Sequence, residues 1–137
     1  MKSLQNRLYE CTLHECPLYE GFYKNAGGMV RPSTKKELQE EIEIRLKRGQ
    51  TNLNDIDTSK ITDMNSLFMQ FSLSDLSKLD ISLWNTHNVI NMRSMFYGCT
   101  NFNSDLSKWN ISNVQYMAGM FTRSGMKEFP AWYDGWV

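Results

Sequence analysis

Histidine, proline and cysteine are scarce in this chain, at 2, 3 and 3 residues among 137. The two histidines, His14 and His87, lie in unrelated settings, so no Ser or Cys has an evident general base beside it. The cysteines, Cys11, Cys16 and Cys99, are odd in number, which argues against a disulfide framework, and Cys99 falls where a small buried side chain serves packing. Cys11, His14 and Cys16 are neighbours in sequence, but zinc takes four ligands and only Cys99 and His87 remain to complete a set, so no metal or other cofactor is expected. Charge of one sign is also missing. The 15 basic residues balance the 15 acidic ones, and neither half of the chain is basic enough to argue for nucleic acid. No apolar run approaches the roughly 18 to 20 residues of a bilayer span, and the opening MKSLQNRLYECTLHE lacks the apolar stretch of a secretion leader. The chain is expected to be soluble and cytoplasmic. Walker-type and dinucleotide-binding loops are absent too.

What is present is a period. Shifting the sequence by 25 residues places DISLWNTHNVINMRSMF (80 to 96) on DLSKWNISNVQYMAGMF (105 to 121). The pairs include Ile81 with Leu106, Trp84 with Trp109, Val89 with Val114, Met92 with Met117, Met95 with Met120 and Phe96 with Phe121. A third copy lies 28 residues upstream, where NLNDIDTSKITDMNSLF (52 to 68) puts Leu53, Ile56, Ile61, Met64, Leu67 and Phe68 at the same points. The longer interval implies about three extra residues in the connection through 69 to 79. A repeat of this length marks stacked units, none of which can bury its apolar side alone. In the copy at 106 to 121, Trp109 and Ile111 alternate as in a short strand, whereas Val114, Met117, Met120 and Phe121 follow helical spacing. The expected fold class is therefore α/β: a short leucine-rich-repeat-like solenoid of about three 25-residue turns, each a strand, a corner, a short helix and a return loop. Met64, Met92, Met95, Met117 and Met120 form its interior, where unbranched thioethers fill irregular gaps. Asn, Asp and Ser occupy the corners, with Asn110 above Asn85 above Asp57 as a candidate polar ladder.

The ends read as caps. Thr34 with Glu37 is a capping box, Leu38, Ile42 and Leu46 recur every fourth residue, and Gly49 follows a cationic last turn, which predicts a helix from about 34 to 48 laid over Leu53, Ile56 and Ile61. At the other end Phe129, Trp132, Tyr133 and Trp136 cluster around Pro130 as an aromatic plug. Residues 1 to 15 have helical spacing through Leu4, Leu8 and Cys11 before Pro17, and a tract with paired glycines and a proline follows through 32. The organisation read from these signals is an N-terminal helix and linker (1–32) and a capped repeat domain (33–137), with repeats at about 52–79, 80–104 and 105–125 and a cap at 126–137.

The segments DLSKWNISNVQYMAGMF, DISLWNTHNVINMRSMFYGCTNFNS and DIDTSKITDMNSLF resemble the BspA-type leucine-rich-repeat family, whose repeats read approximately F-N-x-D-I-S-x-W-[DN]-V-S-N-V-x-N-M-x-x-M-F. The preceding TKKELQEEIEIRLKRG and the following MKEFPAWYDGW resemble the helical lead-in and the Pro-Trp-Tyr ending of that family. The resemblance covers roughly residues 34 to 133, and it implies an interaction scaffold of the kind found on surface proteins that bind host or bacterial partners. This chain is much shorter, carries no secretion signal, and has residues 1 to 30 that the repeat does not explain.

Other chemistries fit less well. The acidic tract 52 to 63 lacks the central Gly and closing Glu of a calcium loop. Asp55 and Asp57 fit polar repeat positions better than an acid/base pair. Aromatics with scattered lysines suit base stacking, but the register sends Trp84 and Trp109 inward. The function expected is non-catalytic binding of a protein partner through the exposed face of the solenoid. Three rows flank the inward positions: Asp55, Leu83 and Lys108; Asp57, Asn85 and Asn110; Ser59, His87 and Ser112. The partner-binding candidates are Asp55, Ser59, Leu83, Asn85, His87, Lys108, Asn110 and Ser112, with Leu83 as the least expected exposed residue. Two alternatives stand beside it: a virus- or mobile-element-encoded inhibitor that occludes a host defence enzyme, and an assembly protein targeted by its N-terminal helix.

Overall fold

The computed structural model describes residues 29–134. The expected N-terminal helix, the cluster of Cys11, His14 and Cys16, and Trp136 of the plug lie outside that range.

Helix α1 (Lys35–Lys47) is the main regular element of the described residues. Thr34 caps it by accepting the Glu37 amide at 3.1 Å, while Glu37 Oε1 accepts the Ser33 amide at 2.9 Å, one residue earlier than in the usual reciprocal box. The helix stops at Gly49, whose φ of 76° is the left-handed conformation that closes a helix without a Cβ penalty. Its inner face is half apolar and half ionic. Leu38 and Ile42 are fully buried in the common core, and beside them Glu41 accepts from Arg45 Nε at 2.6 Å. Arg45 spends its other two nitrogens on the Asp55 carboxylate at 2.8 and 3.2 Å. Val30 and Arg31, read from the sequence as linker, pack onto the first repeat: Val30 bridges Ile56, and Arg31 pairs with Asp57 at 2.6 Å.

After α1 the chain is built from reverse turns. In each repeat an amide bonds back three residues to a carbonyl at three points. The first repeat has Ile56 to Leu53, Ile61 to Thr58 and Leu67 to Met64; the second has Trp84 to Ile81, Val89 to Thr86 and Met95 to Met92; the third has Trp109 to Leu106, Val114 to Ile111 and Met120 to Met117. The three-residue spacing of the apolar positions is thus the spacing of turns, whose two ends both face inward. The alternation of Trp109 with Ile111 predicted a short strand, and neither residue lies in one. Among the described residues extended pairing is limited to four isolated parallel bridges, Val30 with Ile56, Asn52 with Asp80, Asp63 with Asn91 and Asn91 with Tyr116. The short helix expected in each repeat is likewise a set of turns, with a single 3₁₀ turn at Met69–Phe71 in the longer connection. Ser66 and Ser94, with φ of 56° and 53°, and Gly119, with φ of 68°, occupy the same repeat position, and a left-handed residue there interrupts any strand or helix.

Successive repeats are nevertheless tied together by backbone. The amides of Met64, Ser66 and Phe68 donate to the carbonyls of Asn91, Arg93 and Met95, and those of Met92, Ser94, Phe96 and Gly98 donate to Tyr116, Ala118, Met120 and Thr122, all at 2.7 to 3.0 Å. The side chains between these bonds form continuous columns. Phe68, Phe96 and Phe121 stack nearly parallel at centroid distances of 5.2 and 5.6 Å. The indole N–H groups of Trp84, Trp109 and Trp132 each donate to a carbonyl of the preceding repeat, Leu53, Ile81 and Leu106 respectively. Cys99 is buried beside Phe68, donates its thiol to that residue's carbonyl at 3.4 Å, and is pushed up to about 11 in pKa by burial, which keeps it a packing residue.

Candidate interaction surface

The corner residues are fixed by their own side chains. Asp57, Asn85 and Asn110 each use Oδ1 to accept the amide two residues on, from Ser59, His87 and Ser112 at 2.9 to 3.0 Å. The expected ladder of Asp57, Asn85 and Asn110 is not a direct one. The rungs come from the next residue: the buried Thr58 and Thr86 hydroxyls donate to the Asn85 and Asn110 carbonyls, both at 2.9 Å. A second set of rungs lies outside them. Asn88 Nδ2 donates to the Ser59 carbonyl at 2.8 Å and Asn113 Nδ2 to the His87 carbonyl at 2.6 Å. Burial would raise the Asp57 carboxyl, but hydrogen bonds from the Ser59 hydroxyl and amide and the Arg31 guanidinium outweigh it and hold the pKa below the usual range.

These bonds place the candidate residues. Leu83, Asn85, His87, Lys108, Asn110 and Ser112 are exposed and Ser59 is half-buried, so the three middle and outer rows form one surface running across the repeats. His87 joins two of them through Nδ1, 3.2 Å from Asn110 Nδ2. Leu83 is 63% exposed, and its amide is held by Asn54 Oδ1 at 2.8 Å, so an apolar side chain is presented on a fixed backbone. Asp55 stands apart: exposed itself, it is drawn toward α1 by Arg45. Further along the same repeats Lys60, Thr62, Asn88, Ile90, Asn113 and Gln115 line a shallow groove of about 340 Å³, and Arg93 lies 4.9 Å over the Tyr116 ring. Thr58, Thr86, Asn54, Asn88 and Asn113 were not among the residues singled out from the sequence. The recurrence of Asn at 88 and 113 and of Thr at 58 and 86 was the available signal.

Among the described residues, no group of three His, Cys, Asp or Glu side chains stands close enough to hold a metal ion, and no helix is long and apolar enough to cross a membrane. A family model described as "Mycoplasma protein of unknown function, DUF285" matches residues 37–136, from the first turn of α1 through the aromatic cap. The chain belongs to the DUF285 family. No curated protein and no solved structure matches it. The DUF285 match begins after Val30 and Arg31, so the packing of those two residues on the first repeat is an addition to the unit that the family model covers.

Proposed function

We propose that this DUF285 chain is a non-catalytic protein-recognition module: a short leucine-rich-repeat-like solenoid of the BspA type that binds a protein partner through the surface carrying Leu83, His87 and their row neighbours. The observation that carries the reading is the combination of fixed backbone and varied side chains. Beneath the surface Thr58 and Thr86 hold the same position in the first two copies, with Ile111 in the third, and both threonines bond across to the next repeat. The positions above them change: Asp55, Leu83 and Lys108 in one row, Ser59, His87 and Ser112 in the other. A surface that is pre-organised loses little conformational entropy on binding, and one that varies along its length can discriminate partners. Leu83 supplies an exposed apolar anchor beside hydrogen-bonding corners, the arrangement of an interface centre with a polar rim.

Affinity capture from the native cells with the intact chain, repeated with the double variant Leu83→Glu and His87→Glu, tests this reading. Both positions are exposed, so the variant is expected to melt within about 0.5 kcal/mol of the parent while losing at least ten-fold in affinity for the captured protein. Equal capture by parent and variant would remove this surface from consideration.

A further inference from the structure

The shallow groove that crosses the three repeats is built on one inward column. Ile61, Val89 and Val114 are buried, and the residues on either side of each are turned outward: Lys60 and Thr62, Asn88 and Ile90, Asn113 and Gln115, all exposed. The backbone carbonyls along the first two repeats of this groove are taken. Those of Ser59 and His87 accept from Asn88 and Asn113 Nδ2, and those of Thr62 and Ile90 accept the amides of Ile90 and Gln115, each at 2.6 to 2.8 Å. What stays available is side-chain chemistry. The Asn88 and Asn113 Oδ1 acceptors are oriented by their Nδ2 bonds, and the Lys60 ammonium, Thr62 hydroxyl and Gln115 amide have no protein partner among the described residues. Next to Gln115, Tyr116 is 43% exposed, with Arg93 4.9 Å over its ring.

We propose that this groove binds a β-1,4-linked pyranose chain laid across the stack, one sugar ring to each repeat. The occupant follows from spacing and from what the groove can bond. Phe68, Phe96 and Phe121 mark the separation of the repeats at 5.2 and 5.6 Å, close to the advance of one ring along a flat β-1,4-linked chain. Sugar hydroxyls both donate and accept, which suits a lining that mixes amide oxygens, an amide nitrogen, a hydroxyl and an ammonium. Ile90, 37% exposed, and the Tyr116 ring offer apolar surface to the C–H face of a sugar. A polypeptide is less well served, because the four carbonyls it would pair with are occupied and Ile90 is the one apolar side chain in the lining. A polyanion finds only Lys60 as a cation there. The groove borders the His87 row through Asn113 but uses neither Leu83 nor the His87 side chain, so it does not depend on the protein-recognition reading.

The test uses the intact, isotope-labelled chain and follows the side-chain amide signals of Asn88, Asn113 and Gln115 by NMR during titration with cellohexaose and with chitohexaose. Maltohexaose, the α-linked isomer of cellohexaose whose chain coils, is the control for spacing, and a blocked hexapeptide of glycine, asparagine and threonine is the control for a polypeptide. At least one β-linked chain should shift all three amides at millimolar concentration, and which one does so tells whether the ring carries a hydroxyl or an acetamido group beside the linkage carbon. Gln115→Ala removes an exposed side chain without a protein partner and should weaken that binding about five-fold, whereas Leu83→Glu should leave it unchanged. No shift with either β-linked chain, equal shifts with maltohexaose, larger shifts with the peptide, or undiminished binding by Gln115→Ala each overturns the proposal.

Discussion

The two ends of the stack solve one problem with opposite chemistry. At the α1 end a helix brings Leu38 and Ile42 over the first repeat and holds two of its backbone carbonyls with Lys35 and Gln39, beside the ionic group of Glu41, Arg45 and Asp55. At the other end rings do the covering: Trp132 lies parallel to Trp109 at 6.4 Å, and Phe129 and Tyr133 rest on Phe121. A helix has side chains long enough to reach outward carbonyls, so it closes both core and backbone. Aromatic rings cover apolar surface but offer few donors or acceptors, so among the described residues the amides of Met117, Gly119, Phe121 and Arg123 beneath them have no acceptor. The difference teaches that hiding the core and saturating the backbone are separate requirements at the end of a stack.

The largest effect that would sharpen this contrast is expected at the helix end. Arg45→Ala takes the guanidinium away from both Glu41, 1% exposed, and Asp55, and the cost at neutral pH should be about 3–5 kcal/mol. Burial raises the Glu41 carboxyl above its ordinary 4.5, and Arg45 only partly opposes that. A carboxyl raised in the folded state favours folding when protonated. That contribution is full below the unfolded pKa and fades as pH rises through the folded one. Removing Arg45 moves the folded value further up, so the deficit should narrow as pH falls toward 4.5; chemical denaturation at several pH values measures it.

Trp132→Ala at the opposite end removes a ring stack and the indole bond to Leu106 O, at a cost of about 3 kcal/mol. Its deficit should be flat between pH 5 and 8, in contrast to that of Arg45→Ala, and hydrogen exchange should show the third repeat opening before the first. A deficit that tracks pH equally in both variants would dissolve the distinction between an ionic and an aromatic end.

A smaller effect is expected from the double variant Lys35→Ala and Gln39→Ala, which removes two side-chain bonds to outward carbonyls and should cost about 1–2 kcal/mol in urea titration. It also gives the first repeat an open acceptor edge. Self-association that appears in this variant and is absent from the parent, read by sedimentation, would support the view that these side chains block head-to-tail stacking of copies.

The columns of the interior could be read from the repeat alone. Met64 with Met92 and Met117, and Phe68 with Phe96 and Phe121, are buried where the alignment put them, and Thr34 marks the start of α1. The exposed rows were legible for the same reason, since positions between inward residues must face out. Strand against turn was not legible. A three-residue apolar spacing fits a turn as well as a helix, and only the bonds from Trp109 to Leu106 and from Val114 to Ile111 decide for turns. Thr58 and Thr86 look like polar corner residues, yet they are buried, because a carbonyl of the next repeat waits for each hydroxyl.

The sequence by itself therefore determined which residues recur, which side of the repeat is apolar and where the helix begins, because these depend on spacing along one chain. Tertiary structure decided which amides and carbonyls meet between repeats and the partners of Lys35, Gln39 and Arg45. Those depend on what the neighbouring repeat presents across a gap of one hydrogen bond, and no pattern within a single repeat records it.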